Sequence, residues 1–411
     1  MLLILSLVFL QEGFTYYLSF QVVALFVLIT LVLSSGGRVR FSLLDLLGFI
    51  AFLVQLVMTA VFSPFVISTN SSSIFLTTIA VLVYAAAIFH MPLLRVRRPE
   101  QLLLALRKVS AAVILMLVSI LLVSESKIVS FLDREAMLGQ NARLIDNFTD
   151  IDALSKDQAF RMLIGEEARI DLFYGEPSFL AIVLFTSLGC HLLTSKLLAL
   201  SGHAQSSVAS ARISSRMMDL APYLATLCLL FIHSFSSIIY ALVAIYFLFM
   251  KQRAAKQKRG SSVLVLLVFG IAFGVFGFEY FMYRLTMAES LSLTQRFGFL
   301  FELTLIDMLV GVRDIAKLPE YGIHNGLFYI VAISGVGGLI YLLRLLRNVY
   351  VLAKPLKLSV LMCTLMLAIL MQNGGVFTPN KVVLFGLILL PLACSRTIRR
   401  KQEPIGLFSN A

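Results

Sequence analysis

The chain has 411 residues, of which 59% are hydrophobic and 14% charged, against roughly 45–50% and about 25% in soluble domains. With 33 Phe and a mean hydropathy of +0.94, this composition excludes a soluble enzyme. The formal net charge of +12, from 34 Lys and Arg against 22 Asp and Glu, follows membrane topology once it is located along the chain, and does not point to nucleic acid.

Apolar blocks run, in chain order, over 1–10, 16–34, 43–63, 73–92, 109–123, 177–195, 217–233, 236–250, 261–279, 325–343, 358–371 and 382–394. Most approach the roughly 20 residues that a helix needs to cross a bilayer. They predict an all-α polytopic membrane protein with about twelve transmembrane helices, or eleven if the first does not span. That first block would rise only about 15 Å. It lacks the basic start and small-residue cleavage site of a signal peptide. The chain then divides into N-terminal transmembrane helices (1–123), a first long loop (124–176), central helices (177–279), a second long loop (280–324), and C-terminal helices with a tail (325–411).

Alternating the connections across the membrane places 23 Lys and Arg in the segments 35–42, 93–108, 196–216, 251–260, 344–357 and 395–411, and 11 on the other side. Ten of those 11 lie in the two long loops, so among short connections the split is 23 to one, Lys381. Short loops are the ones that set orientation, which predicts a cytoplasmic C-terminus and outward-facing long loops. The basic run Lys251–Arg259 then reads as a span anchor, although an anionic-lipid patch has the same composition. Cys190, Cys228, Cys363 and Cys394 lie in or beside apolar spans, so they read as packing residues with no disulfide framework in the outer loops.

The two long loops carry most of the polar chemistry, and function is expected there. Both contain amphipathic stretches such as Phe297 to Val310, which read as helices on the membrane surface. Neither contains a βαβ pattern or a phosphate-binding glycine loop. Arg169, Arg284, Arg296 and Arg313 stand nearest the membrane. Guanidinium forks suit phosphate oxygens, so their convergence would hold a lipid pyrophosphate; as separate residues they would be headgroup anchors.

Tyr174-Gly-Glu-Pro-Ser178 opens the sixth span, with Pro177 at a favoured first helical position. Glu176 can cap that helix, or serve as base or hydroxyl orienter for a sugar. His324 and Asn325 open the tenth span; imidazole can take a proton near neutral pH, and Asn325 can cap the helix or bind a hydroxyl. In the tight connection His233-Ser-Phe-Ser-Ser237 the hydroxyls read as caps on two helix ends. Asp150-Ile-Asp152 has the form of a metal-nucleotide motif, but no strand precedes it.

These segments, in this order, resemble the Wzy-type O-antigen and exopolysaccharide polymerases of the O-antigen ligase/polymerase superfamily, most of all the colanic-acid type. The resemblance is carried by Arg169 with Tyr174-Gly-Glu-Pro-Ser-Phe-Leu-Ala181, by Ser234-Phe-Ser-Ser-Ile-Ile-Tyr240, and by Tyr283-Arg-Leu285 with Arg296. It continues in Leu309-Val-Gly-Val-Arg313, His324-Asn-Gly-Leu-Phe328, Gly335-Val-Gly-Gly338 and Val376-Phe-Thr-Pro-Asn380, covering about residues 169–394.

The resemblance implies a helical glycosyltransferase of the GT-C type that polymerises undecaprenyl-diphosphate-linked oligosaccharides at the periplasmic face of the bacterial inner membrane. It implies no cofactor, metal or nucleic acid, and as partners the lipid bilayer and a chain-length regulator protein. The departing lipid pyrophosphate would be held by Arg169, Arg284 and Arg296, with Arg313, Asn325 and Tyr174 completing the binding set. Glu176 or His324 would take the acceptor proton. In ligase-like members the small-residue turn before the eighth span often carries an Arg; here Phe235 stands there, which favours polymerase over ligase. A transporter or oligosaccharide-lipid flippase is the rival reading, and it should show broken or polar helices at the bilayer midplane.

Overall fold

The computed structural model describes residues 1–10, 19–39, 42–62, 71–124, 177–202, 212–232, 235–254, 304–311, 326–372 and 377–402. Its helices, in chain order, are α1 (Leu2–Val8), α2 (Phe20–Ser34), α3 (Leu43–Phe62), α4 (Ser71–His90), α5 (Pro99–Ser124) and α6 (Pro177–Leu200). They continue as α7 (Arg212–Phe231), α8 (Phe235–Ala254), α9 (Leu305–Val310), α10 (Gly326–Ala353), α11 (Ser359–Met371) and α12 (Pro379–Gln402). Apart from α9, each overlaps an apolar block read from the sequence. The block 261–279 lies outside the described residues. α1 has only 7 residues, in keeping with the weakness of the first block.

Among the described residues, Pro99–Leu122, Ser178–Leu200, Tyr329–Leu356 and Pro379–Arg399 are long and apolar enough to cross a membrane. The protein is an all-α, membrane-embedded chain. α6 and α12 form its centre: α6 packs against α5, α7, α8, α11 and α12, while α12 also meets α2, α4, α5 and α10. A helix that is apolar all round belongs in such an interior position. At the periphery, Leu43, Leu44, Leu47, Ile50 and Val54 of α3 and Leu339, Ile340 and Leu343 of α10 are exposed. An apolar face of this extent is what lipid covers. All four cysteines are free, and only Cys363 is not fully buried.

Two of the segments assigned to the cytoplasmic side, 35–42 and 93–108, come together through their described residues. Arg38–Val39 and Leu94–Arg95 pair as short antiparallel strands β1 and β2. The Arg97 and Arg98 amides both donate to Ser35 O at 3.1 Å. Strands were not visible in the hydropathy, because two residues are too few to show a period.

α10 is not the continuous span that hydropathy suggests. Gly335 has φ 51° and ψ −136°, which divides it into two helices. This backbone conformation is readily available only to glycine. A Cβ at Gly335 would collide with Leu309 O and approach Gly311 N to 2.8 Å. The short helix α9, from the second long loop, therefore packs against the break. Two residues on, a Cβ at Gly337 would stand 2.8 Å from Ala51 O of α3. The Gly335-Val-Gly-Gly338 sequence thus serves close backbone approach on two sides.

Candidate active site at the converging helix ends

Both central helices begin with proline, at Pro177 in α6 and Pro379 in α12. At this position the missing N–H costs nothing and φ is already helical. Thr378 O accepts the Val382 amide at 3.0 Å. Asn380 Oδ1 accepts the Lys381 amide at 2.7 Å and the Thr378 hydroxyl proton. The first turn of α12 is therefore held by its own polar side chains.

The end of α11 joins this pair of helix starts. Gln372, the residue after the last turn of α11, has extended backbone (φ −68°, ψ 145°). Its side chain donates from Nε2 to Ser178 Oγ at 3.0 Å, while its carbonyl accepts a proton from Lys381 Nζ at 2.7 Å. Lys381 is 1% exposed and Gln372 3%. One ammonium is thus enclosed where α6, α11 and α12 meet. It also stands at the positive end of the α12 dipole, which disfavours a cation.

A second line of contacts ties this point to the Gly335 break. Phe377, four residues before Lys381, packs against Phe52 of α3 and Tyr341 of α10, with ring centroids 5.9 and 6.1 Å away. Tyr341 is anchored by donating its hydroxyl to Ala85 O of α4 at 2.8 Å. On α3, one turn beyond Phe52, Gln55 Nε2 donates to Val310 O at the end of α9. Ser178 beside the first long loop is therefore tied to buried Gln372 and Lys381, and Val310 within the second is tied to α3 through the solvent-facing Gln55 contact.

All eight residues expected to act on substrate, Arg169, Tyr174, Glu176, Arg284, Arg296, Arg313, His324 and Asn325, lie outside the described residues, as do Asp150, Asp152 and His233. In sequence, Ser178 is two residues from Glu176, Gly311 two from Arg313 and Gly326 two from His324. The sequence reading overlooked Lys381 and Gln372 as site residues. The available signal was that Lys381 alone departs from the charge bias of the short connections.

Comparison with models of protein families, with curated proteins and with solved structures yields no match.

Proposed function

We propose that the chain is a Wzy-type polymerase, a GT-C-like glycosyltransferase that joins undecaprenyl-diphosphate-linked oligosaccharide repeats at the periplasmic face of the inner membrane. The observation that carries this reading is the enclosed ammonium of Lys381 beside the start of α6. An ionisable group buried among membrane helices is expensive and marks a functional pathway by default. A lipid pyrophosphate would bring negative charge to the end of α12 where a cation is otherwise least favoured.

In this reading, the bond from the anomeric carbon of the growing chain to its pyrophosphate oxygen breaks. A hydroxyl of the incoming repeat forms the new glycosidic bond and gives its proton to Glu176 or His324. Negative charge grows on the departing pyrophosphate, where Arg169, Arg284, Arg296 and Lys381 stabilise it more than they do the ground state. Arg313, Asn325 and Tyr174 bind the remainder of the headgroup and sugar.

The test is chain extension by purified protein supplied with lipid-linked repeats. Extension by the parent and its loss in Glu176→Gln are expected, because Gln keeps the shape but not the base. Unchanged extension in Glu176→Gln would leave that residue a helix cap. Absence of extension by folded parent protein would count against the polymerase. The orientation is tested separately by impermeant thiol labelling of single cysteines introduced at Asp146 and Leu318 in a cysteine-free background. Labelling in intact cells is expected, and labelling only after lysis would reverse the topology.

The break in α10 at Gly335 favours a second reading, an oligosaccharide-lipid carrier, since discontinuous helices often line transport sites. Movement of labelled lipid-linked repeats across liposomes without chain growth would select it. A ligase would instead require a lipid A-core acceptor.

A further inference from the structure

The opposite end of the bundle holds a pocket of about 320 Å³ lined by Ser42, Asp45, Leu93, Arg344, Arg347, Asn348, Val351 and Arg396. Its construction begins with an N-cap. Ser42 precedes α3, and its Oγ accepts the Asp45 amide at 3.2 Å while its hydroxyl donates to Asp45 Oδ2. The other carboxylate oxygen, Oδ1, accepts Arg344 Nε at 2.8 Å and Asn348 Nδ2 at 3.2 Å. Asp45 is 5% exposed, so this is an ion pair largely withdrawn from solvent.

Residues 344, 347, 348 and 351 repeat at helical spacing and share one face of α10. Arg396 of α12 and buried Leu93 complete the lining. Three arginines and one carboxylate therefore line one pocket. The carboxylate engages Arg344 through Nε alone, so its two terminal nitrogens keep their protons for another acceptor. Among the described residues, no carboxylate pairs with Arg347 or Arg396, both of which are exposed.

Basic residues at a membrane boundary commonly act as independent anchors, each reaching into the headgroup layer alone. Two features set this group apart: a concave site, and a buried carboxylate that locks one guanidinium in position. One fixed guanidinium on α10, with further arginines on α10 and α12 lining the same pocket, supplies donors suited to the tetrahedral oxygens of a phosphate ester. A volume near the lower end of the roughly 300–1,000 Å³ of ligand pockets fits a headgroup-sized anion. We propose that this pocket binds a phosphate-ester anion, contributed either by an anionic phospholipid headgroup or by a soluble phosphate compound. The proposal does not depend on the polymerase reading.

Purified full-length protein in detergent is titrated with phosphatidylglycerol or phosphatidylcholine and analysed by native mass spectrometry. In parallel, its unfolding temperature is followed as inorganic phosphate is added. The comparison is with Arg347→Gln/Arg396→Gln, whose substitutions are exposed and leave the Asp45–Arg344 pair in place. At about 1 kcal/mol for each arginine near a membrane surface, the double variant should lose roughly 30-fold in preference for phosphatidylglycerol. Arg347→Lys/Arg396→Lys should retain an intermediate preference and guards against a folding defect in the Gln pair. Loss of lipid preference identifies the headgroup as the source. Stabilisation by inorganic phosphate in the parent alone, with lipid binding unchanged, identifies a soluble source. Equal lipid retention together with no phosphate effect in parent and variant would overturn the proposal.

Discussion

The two ends of α12 carry cations under opposite conditions. Lys381 and Arg396 are separated by fifteen residues, about 22 Å of helix. At the first end the ammonium is enclosed, fixed on a carbonyl, and opposed by the helix dipole. At the second, Arg396 is exposed, lies toward the favourable C-terminal end, and shares an open pocket with Arg344 and Arg347. The same formal charge therefore has different consequences. A cation near the favourable end with access to solvent is inexpensive and can recur, as it does throughout the basic connections. An enclosed one at the unfavourable end is costly to maintain and needs a specific partner.

The largest expected effect lies at the Arg-lined end. Arg344→Ala should lower unfolding stability by about 3–5 kcal/mol, because Asp45 stays buried with only Ser42 and Asn348 as partners. Denaturant titration in detergent measures it. Adding Asp45→Asn to Arg344→Met should recover most of the loss, since no buried charge then remains. Failure to recover would mean that the loss does not arise from the charge left on Asp45.

At the enclosed end, Lys381→Met keeps approximate volume and removes the charge. Loss of a charge-assisted contact worth about 2–3 kcal/mol predicts roughly 30- to 150-fold slower chain extension. Protein abundance should be near the parent's. Extension at the parental rate would reduce Lys381 to a packing residue and erase the contrast between the ends. A smaller effect is expected between them. Gly335→Ala combines a positive φ with the close approach of Leu309 O, a strain of about 1–3 kcal/mol. Accelerated proteolysis of the second long loop in that variant would show that the break holds α9 against α10; unchanged proteolysis would show that it does not.

Much of the fold was legible because each apolar block carries its own solvent preference. The helix start at Pro177 was equally local, set by a ring that fixes φ. The break at Gly335 was not legible: its glycine reads like any other in a membrane span, and its cause is a backbone 26 residues earlier in the chain. The expected site residues, from Arg169 to Asn325, were chosen by residue chemistry and resemblance and all fall outside the described residues. Lys381 was visible in sequence only as an exception to a charge rule. Its enclosure depends on Gln372, whose own partner Ser178 lies 194 residues away.

The sequence by itself determined that the chain is helical and belongs in a membrane, the order of its apolar segments, and the bias that predicts which connections share a side. These follow from the transfer of individual segments between water and lipid, so neighbouring residues suffice to decide them. Only the tertiary structure decided which helix ends meet. It joined Asp45 to Arg344 across 299 positions and brought Ser178, Gln372 and Lys381 to one point. Lipid solvates apolar surfaces about as well as another helix does, so hydropathy cannot choose partners. Close approach at small residues and a few polar contacts make that choice, and both depend on shape in three dimensions.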